Sequence, residues 1–180
     1  MGRALLLTGP PGSGKTTLLR DALAGYPGRA VGFYTEEVRE KGRRIGFDIV
    51  TLEGRRVPLA RAGLASPHRV GRYGVDLSAL EAVAVPALRS ALKGADLAVV
   101  DEVGKMELLS PAFRTAVQDL LDSPVPLLGT VMLAPHPWAD RLKADPRVEV
   151  LLLTPEGREA VRARLAQWLE REARPRAGAG

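Results

Sequence analysis

Gly9-Pro10-Pro11-Gly12-Ser13-Gly14-Lys15-Thr16 stands between a strand-like run, Arg3 to Thr8, and a stretch, Lys15 to Ala24, whose leucines recur at helical spacing. The octet meets G-x-x-x-x-G-K-[ST] at every fixed position, and strand–turn–helix is the setting a P-loop requires. Glycines allow backbone N–H groups to turn inward around phosphates, and the helix N-terminus adds partial positive charge. Lys15 can then reach the β and γ oxygens of a nucleoside triphosphate, and the Thr16 hydroxyl can ligate Mg2+. An ordinary Gly-Pro turn leaves Lys15-Thr16 at the first helical turn unexplained.

Outward from this loop, Ala30 to Val38, Arg44 to Leu52 and Arg55 to Leu59 read as extended segments of an antiparallel excursion. Ser66 to Gly74 reads as a loop, and Asp76 to Lys93 as a helix capped by Asp76 or Ser78 and interrupted, or kinked, at Pro86. Beyond Gly94, strands and helices alternate: strand Leu97 to Val100, helix Phe113 to Leu121 reached through Ser110-Pro111, and strand Leu127 to Met132. A short helix Trp138 to Leu142, strand Val148 to Leu153 and amphipathic helix Glu156 to Arg171 follow. Continuous apolar strands separated by helices predict an α/β fold, a mostly parallel sheet with helices on both faces and an antiparallel hairpin excursion. The expected organisation is one domain, residues 1–173, with a small basic tail, 174–180, expected to be disordered.

A magnesium-dependent NTPase needs a carboxylate at a strand end, and Leu97-Ala98-Val99-Val100-Asp101 supplies it. Asp101 is the Walker B and metal candidate beside Thr16. Glu102 follows directly and could orient or deprotonate a water attacking the γ phosphate, which favours hydrolysis over mere binding. Without the P-loop, the same pair would read as a solvated strand end. Lys105, four positions on, could neutralise charge on the transferred phosphoryl group, with a solvated lysine as the competing reading. Thr130 is a candidate γ-phosphate sensor, with a core-edge threonine as the competing reading. Arg114, Arg141 and Arg158 are arginine-finger candidates among many surface arginines, and Trp138, Tyr34 and Tyr73 could stack on a base or simply pack.

Composition narrows the alternatives. Hydrophobic residues at 46% and charged residues at 26% match a soluble globular domain. Without cysteine there are no disulfides or thiolate sites, and two histidines leave no imidazole cluster for a metal. No apolar run approaches a membrane span and no cleavage pattern follows Met1-Gly2-Arg3, so a cytoplasmic protein without membrane contact is expected. The chain holds 21 Arg against 5 Lys, two Gln and no Asn, a composition shared by thermophile proteins and by Arg- and Ala-rich proteomes. The net charge of +5 is dispersed along the sequence, so nucleic-acid contact is not expected. Lacking asparagine, the chain cannot carry the guanine-reading N-K-x-D of switch GTPases.

Asp101-Glu102-Val103-Gly104-Lys105-Met106-Glu107-Leu108, with Gly9 to Thr17, Gly32 to Arg39 and Gly46-Phe47-Asp48-Ile49, resembles the thermophile-type nucleoside-triphosphatase family, also called the cancer-related nucleoside-triphosphatase family. The similarity spans roughly Arg3 to Leu169. It implies a RecA-like P-loop fold, in whose order the strand carrying Thr130 would lie between the P-loop strand and the Walker B strand, and slow, Mg2+-dependent hydrolysis of ATP, GTP and other nucleoside triphosphates to diphosphate and phosphate. With no base-reading signature in the chain, broad base specificity is expected; the oligomeric state is not readable from the sequence, and a monomer is favoured. Nucleotide contacts are then expected from Gly9, Pro10, Pro11, Gly12, Ser13, Gly14, Lys15, Thr16, Thr17, Asp101, Glu102 and Arg158. Catalysis is assigned to Glu102, Lys15 and Lys105, and Mg2+ to Thr16 and Asp101. Leu153 to Arg158 resembles a family segment with Asn before the arginine, where this chain has Gly157. Two alternatives use the same motifs: a nucleotide or small-molecule kinase, with an acceptor held by the region between Lys15 and Asp101, and a regulatory protein timed by its nucleotide state.

Overall fold

The computed structural model describes residues 3–176. Among these, the strands are β1 (Ala4–Thr8), β2 (Ala30–Glu40), β3 (Arg43–Thr51), β4 (Arg56–Ala62), β5 (Arg69–Val70), β6 (Tyr73–Val75), β7 (Leu97–Val103), β8 (Leu127–Val131) and β9 (Val148–Leu152). They form one sheet in the order β5-β6-β4-β3-β2-β7-β8-β1-β9. From β2 to β9 the neighbours run parallel, while β2 to β6 form the antiparallel excursion. As the RecA-like order implied by the resemblance has it, β8 lies between the P-loop strand β1 and β7.

The inner parallel strands are apolar at consecutive positions because both faces are covered. On β1, Ala4 and Leu6 join one core and Leu5 and Leu7 the other; on β7, Ala98 and Val100 oppose Leu97 and Val99 in the same way. The first core is closed by the helical segment 77–91 together with α4 (Pro111–Asp122) and α5 (Pro137–Ala144). The second is closed by α1 (Lys15–Ala24) and α6 (Arg158–Glu172), where Trp168 is fully buried. Edge strand β9 is only half-buried, and its Glu149 carboxylate is held by Arg164 of α6 at 2.6 and 2.5 Å.

Three expectations needed revision. Within Ser66 to Gly74, read as a loop, the short strand β5 and the start of β6 form; they are too short to show a period, and β6 gets its ladder from β4 through Ala60–Val75 and Ala62–Tyr73, β5 from β6. The interruption expected at Pro86 in the helix over Asp76 to Lys93 comes earlier, in a π-helical turn that ends at Ala84. Asp76 caps the helix, accepting from the Ala79 amide at 3.0 Å, and α2 (Leu77–Ala79) and α3 (Val85–Ala91) flank the π-helical turn, Leu80–Ala84. The widened turn accommodates a ring that would clash with a regular α-helical carbonyl. Finally, β7 runs past Val100 to Val103, so Asp101 and Glu102 belong to the strand itself. Of the expected tail, residues 177–180 lie outside the described residues; the Arg176 amide donates to Asp96 and Arg174 Nε to the Glu170 carbonyl.

Phe113, fully buried at the start of α4, meets Phe33 of β2 edge-on with ring centroids 6.2 Å apart. Ser110 sets this helix in place, its hydroxyl accepting from the Phe113 amide and donating to Glu81. Phe113→Ala should lower unfolding stability by about 3–5 kcal/mol through lost burial and the cavity left behind. Urea unfolding would test it, a loss below about 1 kcal/mol showing that the site collapses to fill the space.

Candidate active site

The P-loop leaves the carboxyl end of β1 and turns into α1. The Ser13 amide donates to the Pro10 carbonyl at 3.1 Å, and Lys15 Nζ folds back onto the carbonyls of Gly9 (2.9 Å) and Pro10 (3.2 Å). Two glycines are required by their surroundings. A Cβ on Gly9 would lie 2.8 Å from the Leu153 carbonyl oxygen, and Gly14 has φ 87° with the Arg158 guanidinium 2.7 Å from where its Cβ would be. Arg158, the first residue of α6, thus lies against the loop. Gly157 needs no side chain for the turn before it, because its amide donates to the Thr154 hydroxyl at 3.0 Å. Ser13 Oγ is buried and has no hydrogen-bond partner among the described residues, the kind of orphaned donor that a phosphate oxygen would satisfy.

Strand β2 pairs with β7 as far as Phe33–Val100 and no further, while β7 continues and rejoins β8 at Val103–Val131. Asp101 and Glu102 therefore sit where the ladder parts at the carboxyl ends of the parallel strands, the position at which open α/β sheets bind ligands. Asp101 is 2% exposed, and each carboxylate oxygen has a donor: Thr16 of α1 at 2.7 Å on Oδ2 and Thr130 of β8 at 2.5 Å on Oδ1. Thr130 thus orients the carboxylate instead of standing free as a phosphate sensor. Burial pushes the Asp101 carboxyl up, against the pull of the Thr130 and Thr16 bonds and of the Lys15 and Arg20 charges. Glu102 is raised by burial and by the neighbouring Asp101 charge.

Sequence reasoning assigned no role to Glu107, though Met106 and Leu108 flank it and mark a carboxyl going inward. In the 3-10 turn Glu107–Leu109 it is 4% exposed. A Cβ on Gly104 would lie 2.8 Å from Glu102 Oε1 and 2.9 Å from Glu107 Oε2, so both carboxyl groups close on this glycine. Burial, then the Glu102 charge, pushes Glu107 well above the usual carboxylate range. Arg20, one helical turn beyond Thr16, was also missed; its guanidinium stacks on Tyr34 at 4.5 Å and lies 3.8 Å from Glu36. The i, i+4 spacing on one face of α1 was the available signal. Lys105 is exposed and makes no hydrogen bond among the described residues, Tyr73 is buried in the antiparallel sheet, and Trp138 packs against the first core.

Thr16 and Asp101 offer adjacent oxygen donors beside the phosphate loop, which fits Mg2+, an ion that takes one or two protein oxygens and completes its shell with phosphate and water. Strand order, phosphate loop and facing Asp-Glu define a P-loop NTPase.

Comparison with known proteins agrees. The family model described as NTPase matches residues 4–166. Nucleoside-triphosphatase THEP1 of Thermotoga petrophila is 45% identical over 157 residues, 87% of each chain, and the human cancer-related nucleoside-triphosphatase is 45% identical over 88% of this chain and 92% of that protein. The crystal structure of THEP1 from Aquifex aeolicus superposes with a TM-score of 0.85 at 35% identity, covering 93% of this chain and 99% of that one. The solution structure of the human protein gives 0.77 at 41% identity over 94% and 98%. The chain belongs to this NTPase family.

Two outcomes are expected from the buried carboxyl groups. Thr130→Val should keep the fold but release Asp101 Oδ1, raising the Mg2+ concentration needed for nucleotide binding by about 10- to 100-fold, the usual effect of losing an outer-shell partner. A fluorescent-nucleotide titration against Mg2+ would read this, and an unchanged requirement would rule out the orienting role. Glu107 holds its proton to higher pH when folded than when unfolded, so its contribution to stability is complete below the ordinary glutamate value of 4.5 and declines as pH rises toward the folded value. Glu107→Gln, which keeps the shape of the protonated acid, should flatten part of that decline in a Tm–pH profile; curves parallel to the wild type would contradict the assignment.

Proposed function

We propose that the protein hydrolyses nucleoside triphosphates to diphosphate and phosphate, with Mg2+ as cofactor, little discrimination between bases and slow turnover, as a monomer in the cytoplasm. The observation that carries this reading is the Asp101-Glu102 pair at the parting of β2 and β7, with Asp101 bound to the Thr16 hydroxyl of the phosphate loop. The names of the relatives, nucleoside-triphosphatases in both bacteria and human, support hydrolysis in general.

Backbone amides of Gly12 to Thr16 and the orphaned Ser13 hydroxyl bind phosphate oxygens, and the N-terminus of α1 favours their charge. Lys15 exchanges the Gly9 and Pro10 carbonyls for β and γ oxygens, a strong charge-assisted contact in place of two neutral acceptors. Arg158, packed on Gly14, adds a second cation along the phosphate chain. Thr16 and Asp101 hold Mg2+, which when bound neutralises charge on the β and γ oxygens. Glu102, more basic than an ordinary glutamate, accepts the proton of the attacking water at its carboxylate. Lys105, exposed beyond the strand end, is available to shield the transferred phosphoryl group. A kinase would use the region between α1 and β7 for an acceptor, but it is occupied by the antiparallel strands β3 to β6 and the helical segment that covers them.

A panel of nucleoside triphosphates with Mg2+, following phosphate and nucleotide products together, tests the reading. Phosphate and diphosphate should form in equal amounts from every nucleotide; preferences of about 10⁴ or more would reveal a base pocket. Glu102→Gln should bind nucleotide normally and lose about 10²- to 10⁴-fold in single-turnover release, a general base's usual contribution. Near-normal release would remove water activation from Glu102, and phosphoryl transfer to an added acceptor would establish a kinase instead.

A further inference from the structure

Positive charges dispersed along the sequence are gathered by the fold. The tip of the β2–β3 hairpin and the outer strands β5 and β6 bring together Arg39, Lys41, Arg43, Arg44, Arg69 and Arg72, against only Glu37 and Glu40. Direct contacts join Arg39, Arg44, Arg69 and Arg72, and the hairpin tip places Lys41 and Arg43 beside them. Arg39 Nε and Arg44 Nη1 donate to the Glu37 carboxylate at 3.1 and 3.0 Å. Arg44 Nε and Arg72 Nη2 both donate to the Tyr73 hydroxyl at 3.0 Å, and Arg72 also reaches the Arg44 carbonyl. Arg69 closes the chain, donating to the carbonyls of Arg72 and Leu64 at 3.2 Å.

Arg69 and Arg72 are thus held in fixed orientations by neutral acceptors, and no ion pair among the described residues involves them, Lys41 or Arg43. Two guanidinium groups sharing one phenolic oxygen repel each other, and the Arg44 and Arg72 bonds pull the Tyr73 hydroxyl below the ordinary tyrosine range. An anion placed across them relieves that repulsion. Guanidinium groups already oriented, with N–H groups left over, match phosphate oxygens better than mobile lysines do.

This surface is not an extension of the nucleotide site. Six strand spacings separate β6 from β1, roughly 30 Å at ~4.8 Å per strand, beyond the reach of a triphosphate seated in the P-loop. Its partner must be a separate, extended polyanion. A bilayer surface fits less well, because interfacial binding needs a set of apolar side chains to insert, and of the exposed large ones only Leu64 adjoins the cluster. We propose that the arginine-lined edge formed by β5, β6 and the β2–β3 tip docks the phosphate backbone of nucleic acid.

The test is fluorescence anisotropy of a labelled mixed-sequence single-stranded oligonucleotide, titrated with the full chain at several salt concentrations. Binding should weaken steeply with salt. The Arg69→Ala/Arg72→Ala variant should bind more weakly, with a log–log salt slope shallower by about 1.4, two phosphate contacts at ~0.7 each, while triphosphate turnover is unchanged. Lys41→Ala/Arg43→Ala removes two charges that hold no bond in the fold, so it should act similarly without disturbing the strands. Arg89→Ala/Lys93→Ala, which removes the same charge near the end of the α3 segment, should keep both affinity and slope. No binding at low salt, slopes unchanged in both edge variants, or capture of anionic phosphatidylserine vesicles without capture of the oligonucleotide would overturn the proposal.

Discussion

A carboxylate buried to 2% exposure is the constraint around which this molecule is assembled. Removing such a charge from water costs several kcal/mol unless its oxygens are satisfied, and Asp101 is satisfied from two directions at once. Thr16 reaches it from the helix that follows the phosphate loop, and Thr130 from the strand between β1 and β7. These two bonds tie β7, β8 and α1 together at the point where triphosphate chemistry is expected. A shift of any one of them would leave a buried oxygen unpaired.

The parting of the sheet makes room for that chemistry. Up to Phe33 and Val100, β2 and β7 share a ladder buried on both faces by two cores. Past that point β2 leaves to pair with β3, carrying polar residues where apolar ones stood: Glu36 faces Asp48 across the hairpin, with Arg56 reaching both. The departing strand opens the crevice that receives Asp101 and Glu102. It also replaces the helical acceptor domain that a nucleotide kinase would carry in the same interval. One change of strand direction thus shapes both the site and the preference for water as acceptor.

Charge is sorted along the sheet as a result. Carboxyl groups of Asp101, Glu102 and Glu107 crowd the end of β7, each raised by burial, with Lys15 as the nearby compensating cation. Arginines crowd the opposite edge, braced by carbonyls and a phenol. Between them, Arg61 and Arg56 neutralise Asp48 at 2.6 and 3.0 Å.

The phosphate loop, the carboxylate pair and the parallel core are legible as local patterns in the chain: Gly9 to Thr16 is contiguous, Asp101-Glu102 ends an apolar run, and strands buried on both faces must be apolar at consecutive positions. Asp76 was legible as one of two cap candidates, with Ser78, and Ser110-Pro111 as a helix entry, because a cap bonds an amide three residues away. Strands β5 and β6 were not, since two or three residues have no measurable period: β6 gets its ladder from β4, and β5 gets its from β6. Only the tertiary structure decided that Thr130 orients Asp101, that Glu107 closes on Glu102, that Arg158 lies on Gly14, and that scattered arginines form one edge. Those contacts join residues 5 to 144 positions apart in the chain, from Glu102–Glu107 to Gly14–Arg158. Periodicity reports which face a side chain occupies, whereas strand order decides which distant residue it meets there.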